Sequence, residues 1–249
     1  MIHDAARLGF EREAEAYDRG RPEYPREAVR RLARAIGAGA GRVVVDVGAG
    51  TGKLARALLP SGAELVAVEP VAAMRGVLER EASGVRVLDA TAEALPLGDG
   101  SVDAIVAGQA FHWFDAQRTL PEFHRVLRPA GRLGLIWNRR RREQAPHRAI
   151  DEIIEPHRGD TPSHHSGDWQ RSLEDTPLFE RVDEFTVGFE QHLDQDGLVD
   201  RISSISFVGA LEEGERAQVL ESVRRLAADG PVSLSYDCET FVYARLDAG

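Results

Sequence analysis

The run VVVDVGAGTGKLARALL, Val43 to Leu59, constrains the fold more than any other stretch of the chain. Val43 to Val47 is apolar except for Asp46, as expected of a strand covered on both faces. Gly48, Gly50 and Gly52 follow at alternate positions, and Leu54 to Leu59 has helical spacing. A strand, a glycine turn and a helix in immediate succession form the ligand-binding turn of an open α/β sheet.

The same rhythm recurs along the chain. Glu64 to Glu69, Val85 to Asp89, Val102 to Gly108 and Arg132 to Trp137 read as strands. Arg26 to Ile36, Val71 to Glu81 and Ala116 to Leu127 read as helices, the last stopped by Pro129-Ala130-Gly131. Strands alternating with helices imply βαβ units with right-handed crossovers. Glu11 to Tyr17 reads as a short helix broken at GRPEYP, where Pro22 and Pro25 forbid its continuation. Arg139 to Pro177 is a polar excursion holding one helix, Arg148 to Glu155. Phe185 to Phe189 is then a strand, Glu213 to Ala228 a helix and Ser233 to Arg245 an extended segment. The expected fold is one α/β domain, a Rossmann-like sheet of about seven strands with helices on both faces. The sheet is mostly parallel with an antiparallel C-terminal strand. Within it, residues 1–24 form a cover, 25–138 the binding core, 139–180 a substrate-side excursion and 181–249 the C-terminal strands and helices.

Composition narrows the function. The 249 residues carry 31 Lys+Arg against 41 Asp+Glu, a formal net charge of -10, which repels a phosphate backbone over long range. Nucleic acid is therefore a poor partner, and a small-molecule substrate is expected. A single cysteine, Cys238, allows no intrachain disulfide and suits a reducing compartment. No apolar stretch reaches the roughly 18 residues of a membrane helix. A cytoplasmic protein is expected, as a monomer or a homodimer. His147, His157, His164 and His165 have no acidic or cysteine partner at a recognised ligand spacing, so no metal is expected.

Three ligands compete for the glycines. A phosphate loop needs G-x-x-x-x-G-K-[ST], but Val47 stands at its first glycine and Leu54 at its hydroxyl position. A dinucleotide turn needs G-x-G-x-x-G, but Lys53 stands at the third glycine and Gly52 comes one residue early. The pattern present is D-x-G-x-G-x-G. A carboxylate at Asp46 repels a pyrophosphate and welcomes an ammonium group. Twenty-one residues after Gly48, Glu69 ends the next strand, placed to accept hydrogen bonds from two ribose hydroxyls. A ribose and a cationic amino-acid end together describe S-adenosylmethionine, whose product is S-adenosylhomocysteine.

Val43 to Asn138 resembles the class I S-adenosylmethionine-dependent methyltransferases. DVGAGTG is similar to that family's first motif, and Glu69 to its acidic residue after the second strand. Asp89-Ala90-Thr91-Ala92-Glu93 is similar to the third-strand segment that contacts adenine. AEAYDRGRPEYP (Ala14 to Pro25) and GQAFHWFD (Gly108 to Asp115) resemble the trans-aconitate methyltransferase-like branch. The resemblance implies a cofactor site of Asp46, Gly48, Ala49, Gly50, Gly52, Glu69, Pro70, Met74, Asp89, Ala90, Thr91, Ala92, Glu93 and Gln109. It also implies Tyr17 over the cofactor and Arg21, or less directly Arg19, on its carboxylate.

Methyl transfer needs no metal, and positioning supplies much of the acceleration. A hydroxyl or protonated amine needs a base, whereas a carboxylate is already ionised. His112, after the fourth strand, is the candidate base; the alternative is a side chain that only lines the pocket or holds a loop. Tyr24, Trp113, Trp137, Asn138 and Arg139 are the remaining candidates for the acceptor side. Asn138 either bonds the acceptor or caps the chain turning outward, and Phe111, Trp113 and Phe114 either pack or face the ligand. Arg139 to Arg142 is either a solvated loop face or a contact for one anion. The expected reaction is methyl transfer to a small molecule at oxygen, the acceptor being a polar acid or a hydroxylated aromatic or natural-product intermediate. Two other readings stand: a cofactor-binding protein that transfers no methyl group, regulatory or catalysing a reaction such as a cyclisation, and a nicotinamide dehydrogenase.

Overall fold

A computed structural model describes residues 14–159, 161 and 167–247. Seven strands form one sheet: β1 (Val43–Val47), β2 (Glu64–Val68), β3 (Arg86–Leu88), β4 (Val102–Gly108), β5 (Leu127–Arg140), β6 (Phe179–Leu193) and β7 (Val232–Arg245). Their order across the sheet is β3-β2-β1-β4-β5-β7-β6. Strands β1 to β5 run parallel, and β7 runs antiparallel to both β5 and β6. This is the mostly parallel Rossmann-like sheet that the alternating pattern predicts.

Alternation along β1 explains its two-sided burial. Val45 and Val47 enter one core with Ile105, Phe123 and Trp137, while Val44 enters another with Leu32, Leu54 and Ile136. Side chains at successive strand positions point to opposite faces, so an apolar run serves both. The helices α2 (Arg26–Ala35), α3 (Lys53–Leu58) and α4 (Ala72–Glu81) cover the Val44 face. The opposite face is covered by α5 (Ala116–Val126), whose N-cap Asp115 accepts a hydrogen bond from the Gln117 N–H at 3.2 Å, and by α7 (Asp168–Glu174).

A third core joins α6 (Ala145–Ile154), α8 (Gln195–Ser203), α9 (Ser206–Gly209) and α10 (Glu213–Arg225) to Leu234 and Tyr236 of β7. Residues 14–20, here α1, are helical and lie against α8. Residues 11–13 of the helix read from sequence lie outside the described residues. No described helix is long and apolar enough to cross a membrane.

The structure corrects several boundaries. Pro129-Ala130-Gly131 does not interrupt β5. The strand passes through it as an irregularity, with a register shift opposite Val102 to Ala104 and Ala130 at φ 61°. Proline is tolerated in a sheet at such a bulge. Strand β6 is 15 residues long rather than five, because it pairs along nearly the whole of β7. Its exposed positions are mostly charged or polar, which conceals it in the sequence. The polar excursion holds a second helix, α7, and α8 and α9 follow β6 unannounced.

The chain runs from β1 outward to β3 and then returns to place β4 on the other side of β1. Loops leaving β1 and β4 therefore diverge, and a crevice opens at the carboxyl ends of these strands.

Candidate functional site

Two adjoining cavities fill that crevice. The outer one encloses ≈ 740 Å³ of empty space, partly open to solvent, and the inner one ≈ 400 Å³. They share Tyr17, Gly48, Gly108 and Gln109 as walls.

The outer cavity is built from strand ends. Gly50 and Gly48 come from the turn after β1, Glu69, Pro70, Val71 and Met74 from the end of β2 and α4. Ala90, Thr91, Ala92 and Glu93 follow β3, and Gln109, Ala110, Trp113 and Phe114 follow β4. Gly48 has φ 68°, and a side chain there would meet the Ala110 Cβ at 2.8 Å, so only glycine fits this turn. Glu69 is buried, and both its oxygens accept backbone hydrogen bonds, from Gly50 N at 2.9 Å and Val71 N at 2.8 Å. Burial raises its pKa, and these two N–H groups oppose the rise. The carboxylate is thereby aimed along the cavity wall with lone pairs to spare. At Glu93, burial pulls the pKa up but is outweighed by the Thr91 hydroxyl and the Asp115 N–H.

Gln109 is a non-glycine residue at φ 58°. Such a conformation is costly and persists where the surroundings over-determine it. Its N–H is fixed on the Ile136 carbonyl at 2.9 Å, and the side chain borders both cavities.

The inner cavity brings together Tyr17, Arg21, Tyr24, Asp46 and Ala49. Asp46 is 1% exposed, and neither carboxylate oxygen has a hydrogen-bond partner. Burial pushes its pKa up to about 7; the Ala55 backbone N–H nearby, outside hydrogen-bond geometry, moderates the shift and Glu69 adds to it. Arg21 donates from Nη2 to the Ser204 carbonyl at 3.0 Å and lies 5.0 Å from the Tyr17 ring centre. Its Nε is buried with no partner. Burial, then the nearby Arg201, lowers its pKa to about 10. Tyr24 is buried beside it, and burial holds the phenol well above its ordinary pKa. The inner cavity is thus lined by a carboxyl group and a guanidinium, each with atoms that have no hydrogen-bond partner among the described residues.

Residues 14–25 close the inner cavity and are fastened by several elements, α4 among them through the Arg80–Glu15 pair. Lys53 and Arg56 of α3 pair with Glu23 and Asp18. Arg19 pairs with Asp200 of α8 at 2.7 Å. Gln191 donates to the Gly20 carbonyl, and Asn138 donates to the carbonyls of Pro22 and Glu23. Lys53, the residue that most suggests a phosphate loop, therefore ties down this segment.

Seven expected site residues, counting Arg19, stand elsewhere. Gly52 faces Leu78 of α4, 3.0 Å from where its Cβ would be, so it serves helix packing. Asp89 is exposed and held by Arg75 at 2.7 Å. Arg139 pairs with Glu239 and Asp237 on β7. Trp137 is buried against Trp169, ring centres 4.2 Å apart, and borders neither cavity. Asn138 borders neither cavity; its Nδ2 donates to the segment 14–25, much as a cap would, and its Oδ1 is buried without a hydrogen-bond partner. His112 borders neither cavity, and its Nδ1 faces the Trp137 Nε1–H at 3.5 Å. In the neutral tautomer that accepts this hydrogen bond, Nε2 carries the proton and has no lone pair to act as a base. Arg19 belongs to the surface pair with Asp200, which leaves Arg21 as the buried candidate.

The metal question turns on the histidines. His147 donates from Nε2 to the Ser235 carbonyl at 2.8 Å, and burial lowers its pKa to about 4. His157 pairs with Glu215. His164 and His165 lie outside the described residues. Among the described residues, no three His, Cys, Asp or Glu side chains converge on one point. The run Arg139 to Arg142 is neither of the simple alternatives: every member is paired with a carboxylate of β7, α6 or the turn after α6.

Val71, Ala110, Gly108 and Thr51 border the cavities without having been singled out in the sequence. Val71 and Ala110 follow Glu69 and Gln109 closely, so strand ends rather than motifs identify them. Arg201 left no signal, since nothing in α8's sequence marks it as buried.

The family profile described as "Methyltransferase domain" matches residues 45–135. An uncharacterized methyltransferase of Mycobacterium tuberculosis is 40% identical over 225 residues, covering 90% of this chain and 87% of the relative. The malonyl-[acyl-carrier protein] O-methyltransferase of Pectobacterium atrosepticum is 31% identical over 168 residues, covering 60% of this chain and 66% of that protein. Among solved structures, a candidate type II methyltransferase of Anaeromyxobacter dehalogenans superposes with a TM-score of 0.67. It is 23% identical, and the match covers 90% of this chain and 97% of that one.

Proposed function

The chain belongs to the S-adenosylmethionine-dependent methyltransferases, and from that premise we propose that it methylates an oxygen of a small acidic molecule. The observation that carries the reading is the inner cavity. Asp46 offers a buried carboxylate without a partner, and Arg21 a buried guanidinium with an N–H to spare. An α-amino acid presents an ammonium and a carboxylate, which are the complements of these two groups. Glu69, in the adjoining outer cavity, is suited to a ribose diol, and the apolar walls Val71, Met74 and Ala92 to a flat base. S-adenosylmethionine has these three parts, and it supplies a methyl group activated by a sulfonium charge.

The protein's own work is then binding, orientation and exclusion of water. Residues 14–25 close the amino-acid end, and Tyr17 and Gln109 stand where the two cavities meet. Trp113 and Phe114 form the wall beyond. A carboxylate acceptor suits this arrangement, because it needs no proton removed and His112 is turned toward Trp137. The oxygen chemistry printed in the name of the Pectobacterium relative supports the same reading.

Isothermal titration with S-adenosylhomocysteine, NADH and ATP tests the cofactor. Only the first should give an isotherm; heat with NADH or ATP and none with S-adenosylhomocysteine would overturn the reading. A panel of carboxylic acids against phenols, followed by mass spectrometry of S-adenosylhomocysteine formation, tests the acceptor. Turnover confined to phenols would refute the carboxylate assignment.

A further inference from the structure

Beside the inner cavity, past Arg21, the described residues bury more positive charge than they answer. Arg201 of α8 is 3% exposed. Its Nε donates to the Tyr236 hydroxyl at 3.0 Å, its Nη1 is buried with no hydrogen-bond partner, and no described carboxylate pairs with it. Arg140, at the carboxyl end of β5, pairs with Asp151 at 2.7 Å through Nη2, while its Nη1 is likewise buried and unpartnered. Asp151 is shared, since its other oxygen accepts from Arg142. Tyr236 lies opposite Arg140 in the β5–β7 register and is fully buried. Arg21 completes the group through its bond to Ser204, three residues past Arg201, and Arg140 and Arg201 both depress its pKa.

A guanidinium cannot shed its charge by losing a proton, so burial without a counter-ion is among the costliest arrangements a fold can hold. Asp151 answers one of the three charges. Three N–H vectors, on Arg21 Nε, Arg140 Nη1 and Arg201 Nη1, are left without an acceptor. Planar guanidinium forks match the oxygen geometry of carboxylates and phosphates. The position is also right for an acceptor. It lies at the carboxyl end of β5, on the strand face where Asn138 holds the segment 14–25.

We propose that Arg140 and Arg201 form a subsite for a negatively charged group of the acceptor, a carboxylate or a phosphate monoester, beside Tyr236, whose hydroxyl is itself spent on Arg201 and Gln191. Arg21 is left to the cofactor's own carboxylate. The assignment of this anion to an acceptor rests on the methyl-transfer reading above; the subsite itself does not. It implies that the acceptor carries an anionic anchor separate from the atom that is methylated. The segment 14–25 must loosen to admit it, because the unpartnered N–H groups are closed off from solvent.

The test uses the full chain saturated with S-adenosylhomocysteine in low-chloride buffer. Succinate, inorganic phosphate and neutral succinamide are titrated in turn, followed by calorimetry and melting temperature. Succinate or phosphate, and not succinamide, should bind and raise the melting temperature; which of the two binds more tightly distinguishes a carboxylate anchor from a phosphate anchor. Arg201→Met should weaken that binding at least tenfold while S-adenosylhomocysteine affinity stays within twofold, which also reports that the variant folds. Arg201→Lys, which keeps the charge and loses the fork, should fall between the two. Binding of neither anion, equal binding of succinamide, or undiminished anion binding by Arg201→Met would each overturn the subsite. Failure of S-adenosylhomocysteine to bind the wild type would instead overturn the cofactor reading and leave the anion titrations to decide the subsite alone.

Discussion

Asp46 links the chemistry of the site to pH. Its pKa in the folded chain is about 7, against 3.8 for an unperturbed aspartate, because burial disfavours the charged form. Between about pH 4 and pH 7 the folded chain retains a proton that the unfolded chain has released. The group's contribution to stability therefore falls as pH rises through that window and levels off above it. Binding an ammonium needs the ionised form. S-adenosylhomocysteine affinity should thus rise by about tenfold or somewhat more in total from pH 5.5 to 7 and flatten beyond. Asp46→Asn should abolish the slope and bind at least tenfold more weakly at pH 7.5; a Kd independent of pH in the wild type would contradict the assignment. His112 leads to the opposite expectation. With Nδ1 facing Trp137 and the ring outside both cavities, His112→Ala should keep turnover within about threefold of wild type. A loss of a hundredfold or more, the size of general-base catalysis, would restore His112 as the base.

At the scale of elements, the inner cavity depends on how the segment 14–25 docks. Gly20 sits so tightly on α8 that an added Cβ would overlap the carbonyl carbon and oxygen of Asp200. Those are backbone atoms of a helix and cannot rotate aside. Gly20→Ala should therefore displace the segment, lower stability by about 1–3 kcal/mol and shift Tm down by several degrees. The same change should weaken S-adenosylhomocysteine binding and speed proteolysis within residues 14–25. Unchanged affinity together with unchanged proteolysis would show that this segment is not part of the binding wall. Element lengths follow from pairing rather than from local pattern. Strand β6 reaches 15 residues because β7 offers partners from Val232 to Arg245, although few of its own residues are buried.

For the molecule as a whole, ligand and fold should be thermodynamically linked. Residues contributed by α1, β1, β2, α4 and the turns after β3 and β4 meet at the two cavities, so a bound ligand bridges most of the parallel core. At one hundred times its Kd, S-adenosylhomocysteine should add about 2.7 kcal/mol to unfolding, which is roughly 5–10 °C in Tm for a domain of this size. NADH at the same concentration should give no shift, and scanning calorimetry checks both. The parallel core was legible in the sequence because its strands are apolar runs and its turns carry glycines, both of which are local signals. The turn Gly48–Gly50, Asp46, Glu69 and the segment after β3 were legible for the same reason, since each closes a strand at the ligand edge. The roles of Asp89, Arg139 and His112 were not, because each depends on a partner distant in sequence or on the adjacent element: Arg75, Glu239 and Trp137. Arg201 was invisible, since an arginine on a short helix looks solvent-facing until the segment 14–25 and β7 cover it. Sequence alone determined the order of the parallel strands and of the helices between them, and the glycine turn that follows β1, because backbone periodicity and turn stereochemistry act over a few residues. Tertiary structure decided which charges are left unanswered, because desolvation and pairing depend on what the distant chain brings alongside.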